Sequence, residues 1–106
     1  WRQTVLTVLT EFRRTARVNG SARSDHGTAG AAFVVGGAVA GGRVLADWPG
    51  LHPAALFEGR DLAPTLDLRA VAKGVLAGHL RLPAAAVEAA FPGSADVAPL
   101  GGLLRG

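Results

Sequence analysis

The sequence has 106 residues, of which 49% are hydrophobic and 18% charged, with 15 Gly and 6 Pro. A chain of this length forms one small domain at most, and it is too apolar to be disordered, so a packed but loop-rich domain is expected. The formal net charge is +3, and the absence of Cys excludes both a disulfide framework and a thiolate metal site.

The basic residues are almost all arginine, ten Arg against one Lys, and five of them lie in the first quarter of the chain. Such a cluster suggests nucleic acid, but Phe12 is the one aromatic residue among these arginines and Tyr is absent. Nucleic-acid binding needs stacking groups beside the charges, so a solvated cationic face is the favoured interpretation and no nucleic-acid partner is predicted.

The longest apolar stretch covers residues 29–42, which is 14 residues and contains five glycines. A membrane-spanning helix needs about 20 apolar residues, so no membrane span is predicted. The first residues do not have the basic and then apolar character of a signal peptide, and any export would be encoded upstream.

The first predicted element is a strand over residues 4–10, a nearly continuous run of Thr, Val and Leu. This pattern is typical of a central parallel strand that is buried on both faces. It ends at Glu11, and ligands of open α/β sheets bind at the carboxyl ends of strands. A turn at Asn19-Gly20-Ser21 and a loop to Gly27 follow, then a second strand at residues 31–35 and a third short extended piece at residues 43–46.

Two helices are predicted in the second half of the chain. Residues 68–82 carry apolar side chains at the spacing of one helix face, with Asp67 or Thr65 as the cap and Pro83 as the stop. A shorter helix begins at Pro83 and ends before Phe91-Pro92-Gly93. The tail from Pro99 is predicted to be frayed or docked, and two strands with one long helix leave apolar surface exposed.

Eight short motifs now occur in a recognisable order. They are Thr10-Glu11-Phe12-Arg13-Arg14, Asn19-Gly20-Ser21, Asp25-His26-Gly27, Val35-Gly36-Gly37-Ala38-Val39, Gly41-Gly42-Arg43, Asp47-Trp48-Pro49-Gly50-Leu51, Asp67-Leu68-Arg69 and Phe91-Pro92-Gly93. Together they resemble the C-terminal part of the bacterial domain-of-unknown-function family 1501. The resemblance implies twin-arginine export to the periplasm or beyond, and an alkaline-phosphatase or sulfatase-like fold.

That resemblance implies that residues 1–106 are one partial domain: an α/β fragment of an α/β/α sandwich, mostly parallel, with a short antiparallel extension after Gly36. The N-terminal portion, with the catalytic nucleophile, would lie upstream and be the partner of this piece. In related metal-dependent enzymes an Asp-His pair ends a strand and a further His lies downstream. Glu11 then stands in place of the ligand Asp, Phe12 replaces the ligand His, and His26 matches the downstream His.

A rival alignment places Asp25-His26 on the Asp-His pair, but residues 21–24 would then have to form a strand, which their composition opposes. The family pattern Glu-Phe-Gly-Arg also has Arg13 here in place of Gly. If that glycine takes a positive φ, Arg13 implies strain or a shifted loop.

The candidate site therefore consists of Glu11, Asp25 and His26 as ligands of a divalent metal, Zn²⁺ or Mn²⁺, with Arg14 holding a small anionic ester. The structural alternatives are that Asp25 caps the turn, that His26 bonds the loop backbone, and that Arg14 pairs with Glu11 or Asp25.

Two functions follow from these residues. The first is a parent enzyme that hydrolyses phosphate or sulfate esters with a divalent metal. The second is a non-catalytic binding or scaffold domain that has lost ligands and presents Trp48 and the arginine face to a partner; Phe12 favours this second function.

Overall fold

Regular structure in this protein is sparse. The computed structural model describes all of residues 1–106. It contains two three-residue strands, β1 (Leu6–Val8) and β2 (Phe33–Val35), a 3-10 helix at Pro53–Ala55, and two α-helices, α1 (Leu68–Gly78) and α2 (Ala84–Ala90). Turns and loop hydrogen bonds therefore determine the path of most of the chain.

The sheet is a single antiparallel pair, β1 with β2. The prediction of a mostly parallel sheet within an α/β/α sandwich is wrong. Parallel neighbours need a crossover connection, usually a helix, whereas residues 9–32 between the strands contain no helix. The turn predicted at Asn19-Gly20-Ser21 lies in this connection and marks a returning loop, which is the physical reason for the antiparallel pairing.

The strands are also shorter and more exposed than predicted. All three residues of β1 are exposed, so the apolar run over residues 4–10 does not form a buried central strand. Residues 43–46 form no strand, and Val44 is 89% exposed. Apolar content alone predicted burial here, but two strands and two short helices cannot cover every apolar side chain, and the predicted exposed apolar surface is confirmed.

Helix α1 begins where the sequence predicted and ends earlier. The Asp67 side chain accepts a hydrogen bond from the Arg69 backbone N–H, which caps the first turn. The helix ends at Gly78, four residues before the predicted end at Leu82, and Arg81 takes a left-handed conformation with φ 53. A residue in this region ends a helix in the manner of a C-terminal glycine, so the chain turns before it reaches Pro83.

The buried face of α1 carries a lysine. The buried residues of this helix are Ala70, Val71, Lys73 and Gly74, whereas Leu80, which belongs to the predicted helix over residues 68–82, is 57% exposed. A Cβ on Gly74 would clash with the Leu100 carbonyl oxygen, so the glycine allows the chain around Leu100 to approach the helix.

Lys73 ties α1 to the segment that contains α2. Its side chain is fully buried, and the Nζ lies 3.0 Å and 3.1 Å from the two Glu88 carboxylate oxygens. It also donates to the Ser94 carbonyl at 2.7 Å and the Val97 carbonyl at 2.8 Å. A buried ammonium with this set of acceptors is fully satisfied, so Lys73 has a structural role.

The chain divides into two compact units. The first unit contains Trp1–Thr7, Val34–Val44 and Asp67–Gly106, and its buried apolar residues are Val39, Ala70, Val71, Val87 and Leu103. Within it the tail is docked, because Leu104 bridges Val39 and the Arg105 N–H donates to the Ala38 carbonyl at 2.9 Å.

The second unit contains Val8–Phe33 and Leu45–Leu66, and Leu56 is its one buried apolar residue. Thr15 and Asp61 are buried with their polar groups. Neither α-helix of the chain has the length and apolar character needed to cross a bilayer, in agreement with the prediction.

Candidate functional site

Three of the four predicted site residues, Arg14, Asp25 and His26, lie on one loop of the second unit, residues 13–27, which is named here the Arg14 loop; Glu11 lies outside it. Its two sides pair in antiparallel fashion: the Thr15 N–H donates to the Asp25 carbonyl at 3.0 Å, and the Gly27 N–H donates to the Arg13 carbonyl at 2.8 Å. These bonds flank Arg14 and His26, which form an isolated bridge. The two residues are a non-hydrogen-bonded pair, the arrangement in which opposite side chains share a face and lie closest.

Asn19 builds the turn of this loop. Its Oδ1 accepts hydrogen bonds from the Ser21 N–H at 2.9 Å and the Arg23 N–H at 3.0 Å, and Ala22 takes a left-handed φ of 57. Side-chain oxygens of Asn commonly replace backbone acceptors in tight turns. The predicted turn at Asn19 is therefore confirmed, and the side chain explains it.

Thr15 fixes the base of the loop. Its hydroxyl is buried, donates to the Arg17 carbonyl at 2.8 Å and accepts from the Asp25 N–H at 3.1 Å. The side chain of Thr15, which is not one of the predicted site residues, therefore holds the loop from inside. No local sequence pattern distinguishes Thr15 from the other threonines.

Arg14 is exposed and held at one nitrogen. Its Nη1 donates to the Ser24 carbonyl at 3.1 Å, and it makes no ion pair with Glu11 or Asp25. The predicted structural ion pair is thus not formed. The remaining guanidinium N–H groups have no partner in the chain and are free to donate to an anion.

The three predicted metal ligands do not converge. Glu11 and Asp25 are both exposed, and the Asp25 Oδ1 accepts from the Asn19 Nδ2 at 2.9 Å. No group of three His, Asp or Glu side chains in the chain could hold a metal ion. These residues alone do not fit a metal centre, and a metal role for Glu11, Asp25 and His26 stays a prediction that requires further ligands.

Asp61 lies against the end of the Arg14 loop. Asp61 is 2% exposed, and its carboxylate accepts hydrogen bonds from the Thr28 N–H and, at 2.7 Å, from the Leu62 N–H. Burial alone would raise the pKa of Asp61, but the hydrogen bonds from Thr28 and Leu62 outweigh burial and hold the pKa below its ordinary value.

Gly27 is required at the contact between the loop and Asp61. A Cβ at this position would lie 2.6 Å from the Arg14 carbonyl oxygen and 2.9 Å from the Asp61 Oδ1. The glycine in the predicted Asp25-His26-Gly27 motif is therefore explained by close packing. The importance of Asp61 itself had no signal in the sequence, because its partners are distant along the chain.

The fold and the site together define a small protein region of short antiparallel strands and helices that carries a hydrogen-bonded cationic loop. The chain belongs to the DUF1501 family, described as proteins of unknown function, whose model matches residues 1–91. The family indicated by the eight sequence motifs is thereby confirmed. No curated protein and no solved structure matches the chain.

Proposed function

We propose that this region is a non-catalytic binding element that holds an anionic ester, a phosphate or a sulfate, at the Arg14 loop. The observation that carries the proposal is the bridge between Arg14 and His26, which puts a guanidinium and an imidazole on one face of a prebuilt loop. Both side chains are exposed and carry N–H groups that can donate hydrogen bonds to phosphoryl and sulfuryl oxygens.

Preorganisation supports this proposal. The loop backbone is fixed by Thr15 and Asn19 before any ligand arrives, so little backbone entropy is lost on binding. No acidic side chain makes an ion pair with Arg14, and its charge is available. The guanidinium fork matches the geometry of tetrahedral anions better than an ammonium would.

The test is calorimetric titration of the full-length protein with phenyl phosphate and phenyl sulfate. Arg14→Gln should weaken binding by about fivefold, because an exposed ion pair contributes up to about 1 kcal/mol. Arg23→Gln is the matched control, since Arg23 lies exposed on the same loop and its side chain makes no hydrogen bond. Equal weakening by both variants would show that only net charge matters and would overturn the proposal.

A metal-dependent hydrolase is the second candidate function, which the family resemblance suggested. The observation that favours it is the position of Asp25 and His26, which are adjacent and exposed on a loop held by hydrogen bonds. Titration of the full-length protein with Zn²⁺ and Mn²⁺, wild type beside a Glu11→Gln, His26→Ala double variant, separates the two functions. Tight metal binding that the double variant abolishes would favour the hydrolase. If the wild type binds no metal, the non-catalytic binding element is the one proposal that is left.

The location that we propose for the full-length protein is the periplasm or the medium, reached by twin-arginine export. This part of the proposal is supported by the family resemblance. Fractionation of bacteria that produce the full-length protein provides the test. Recovery in the cytoplasm alone, from cells whose twin-arginine pathway is intact, would contradict it.

A further inference from the structure

The first unit contains an open cleft of ≈ 580 Å³ that is separate from the Arg14 loop. Its lining includes three arginines and a histidine, and no aspartate or glutamate. The basic lining residues are Arg2, His79, Arg81 and Arg105. These groups come from distant parts of the sequence, so no sequence motif predicts the cluster. Their like charges repel one another, because no carboxylate lies among them.

Two glycines allow the walls of this cleft to approach each other. A Cβ on Gly37 would lie 2.5 Å from the Trp1 carbonyl oxygen, and a Cβ on Gly78 would lie 2.7 Å from the Leu104 Cδ1. The segment that carries Arg2 therefore packs on Gly37. The tail that carries Arg105 packs on the end of α1.

The arginine side chains of the cleft make no ion pair with an acidic residue of the chain. The Arg105 Nε donates to the Val39 carbonyl at 2.9 Å, which leaves both terminal nitrogens without a partner in the chain. Neither Arg2 nor Arg81 makes a side-chain hydrogen bond or an ion pair with the chain. The left-handed backbone of Arg81, which L residues adopt at a cost, turns the chain at the rim of the cleft.

The C-terminus of α1 explains part of this cluster. The negative end of a helix macrodipole attracts cations near the last turn, which accounts for Arg81 just beyond the end of α1 at Gly78. It does not account for Arg2 and Arg105, which belong to other segments. The combined charge of these exposed arginines would attract a ligand that is itself negative.

We infer that this cleft is a binding site for a small polyanion that carries two or more phosphate or sulfate groups. Guanidinium groups bind such oxygens in bidentate fashion, and three separate forks match several anionic groups better than one. The volume of the cleft lies within the range of about 300–1,000 Å³ that is typical of small-molecule sites. It exceeds what a single inorganic anion needs. Gln3 supplies an amide, and Leu104 supplies an apolar contact for the ligand body.

The test is calorimetric titration of the full-length protein at low ionic strength with sodium tripolyphosphate, sucrose octasulfate and inorganic phosphate. At least one polyanion should bind at least about tenfold more tightly than inorganic phosphate, because several charge-assisted contacts form at once. The tighter of the two polyanions identifies phosphate or sulfate as the natural group. Failure of both polyanions to bind would overturn the proposal.

Arg105→Gln and Arg81→Gln should each lower the affinity by about fivefold, in line with one exposed ion pair. The matched control is Arg43→Gln, because Arg43 also belongs to the first unit and its Nε also donates to a backbone carbonyl, that of Ala40, at 3.0 Å. Arg43 does not line the cleft. An equal loss in the control would show that binding follows net charge, and would overturn the site.

The two sites are tested with different ligands and variants: loss of phenyl phosphate or phenyl sulfate binding in Arg14→Gln reports on the Arg14 loop, and loss of polyanion affinity in Arg81→Gln and Arg105→Gln reports on the cleft, so the two failures are distinguishable. Circular dichroism of each variant checks that the fold is retained. A fully folded Arg81→Gln, Arg105→Gln double variant with wild-type affinity would also contradict the inference.

Discussion

At the scale of single residues, Asp61 is the buried carboxylate on which the second unit depends. Its pKa lies below the ordinary value, so the ionised form stabilises the fold. That contribution is fully present above the pKa of the unfolded chain, near 4, and it is lost as the pH falls through the lower pKa of the folded chain.

Asp61→Asn should therefore destabilise the fold by about 2 kcal/mol at neutral pH, because hydrogen bonds to a charged group are lost and an amide N–H then faces backbone donors. The loss should shrink as the pH falls below about 4. Urea unfolding of wild type and variant between pH 2 and pH 7 measures both effects. A difference that stays constant over this range would contradict the role of the ionised carboxylate.

In the first unit, the buried charged residue is Lys73, which is the one lysine of the chain. Lys73→Met should lower the free energy of unfolding by about 3 kcal/mol, because it leaves Glu88 and two backbone carbonyls without their donor. Glu88→Gln keeps an acceptor in place and should cost about 1 kcal/mol. Denaturant titration of both variants provides the comparison, and equal losses would show that the ammonium is not the determinant.

At the scale of elements, helix α1 is fixed at its start by the Asp67 cap. The Arg69 side chain and its backbone N–H both bond the Asp67 carboxylate, and these bonds hold its pKa below the ordinary value. The helix is 11 residues long, so its first turn is a substantial part of it.

Asp67→Ala should destabilise the first unit by about 1 kcal/mol, the usual cost of losing an N-terminal cap. Asp67→Asn retains an acceptor oxygen and should cost a few tenths of that amount. The helical signal at 222 nm, followed during thermal unfolding, measures the change. A loss in the Asn variant as large as in the Ala variant would show that the charge, and not the cap, is what matters.

The helices and the strands differ in how far the sequence predicted them. The Asp67 cap and the apolar spacing are local, so the start of α1 and, within one residue, the bounds of α2 followed from the sequence. The pairing of β1 with β2 depends on residues far apart in the chain. The run of Val and Leu at residues 4–10 therefore predicted a strand but could not predict its short length or its antiparallel partner.

The candidate site also has one part that the local sequence predicted and one part that it did not. The turn at Asn19 and the proximity of Arg14 to residues 24–26 follow from a local loop, and the sequence placed them together. Glu11 was assigned to the same site by its position at a strand end, but the strand ends at Val8. The Arg2, Arg81 and Arg105 cleft is assembled entirely by long-range packing, which a single sequence does not reveal.

At the scale of the whole molecule, the buried apolar residues are unevenly distributed. The first unit buries five apolar residues and the second unit buries Leu56 alone. The second unit instead relies on hydrogen bonds of Thr15, Asn19 and Asp61. Hydrophobic burial is the main favourable term in folding, so the two units should differ in local stability.

Hydrogen exchange followed by mass spectrometry on the full chain should reveal this difference. Amides of α1 from Val71 to Gly78 should exchange more than about tenfold more slowly than those of Thr15 and Gly27. The reason is that the sparse apolar burial of the second unit permits local opening of that unit. Asp61→Asn should accelerate exchange in the second unit and leave α1 unchanged, whereas Lys73→Met should affect α1 first. Equal protection across both units, with both variants accelerating exchange everywhere, would instead require that the chain unfolds as one cooperative unit.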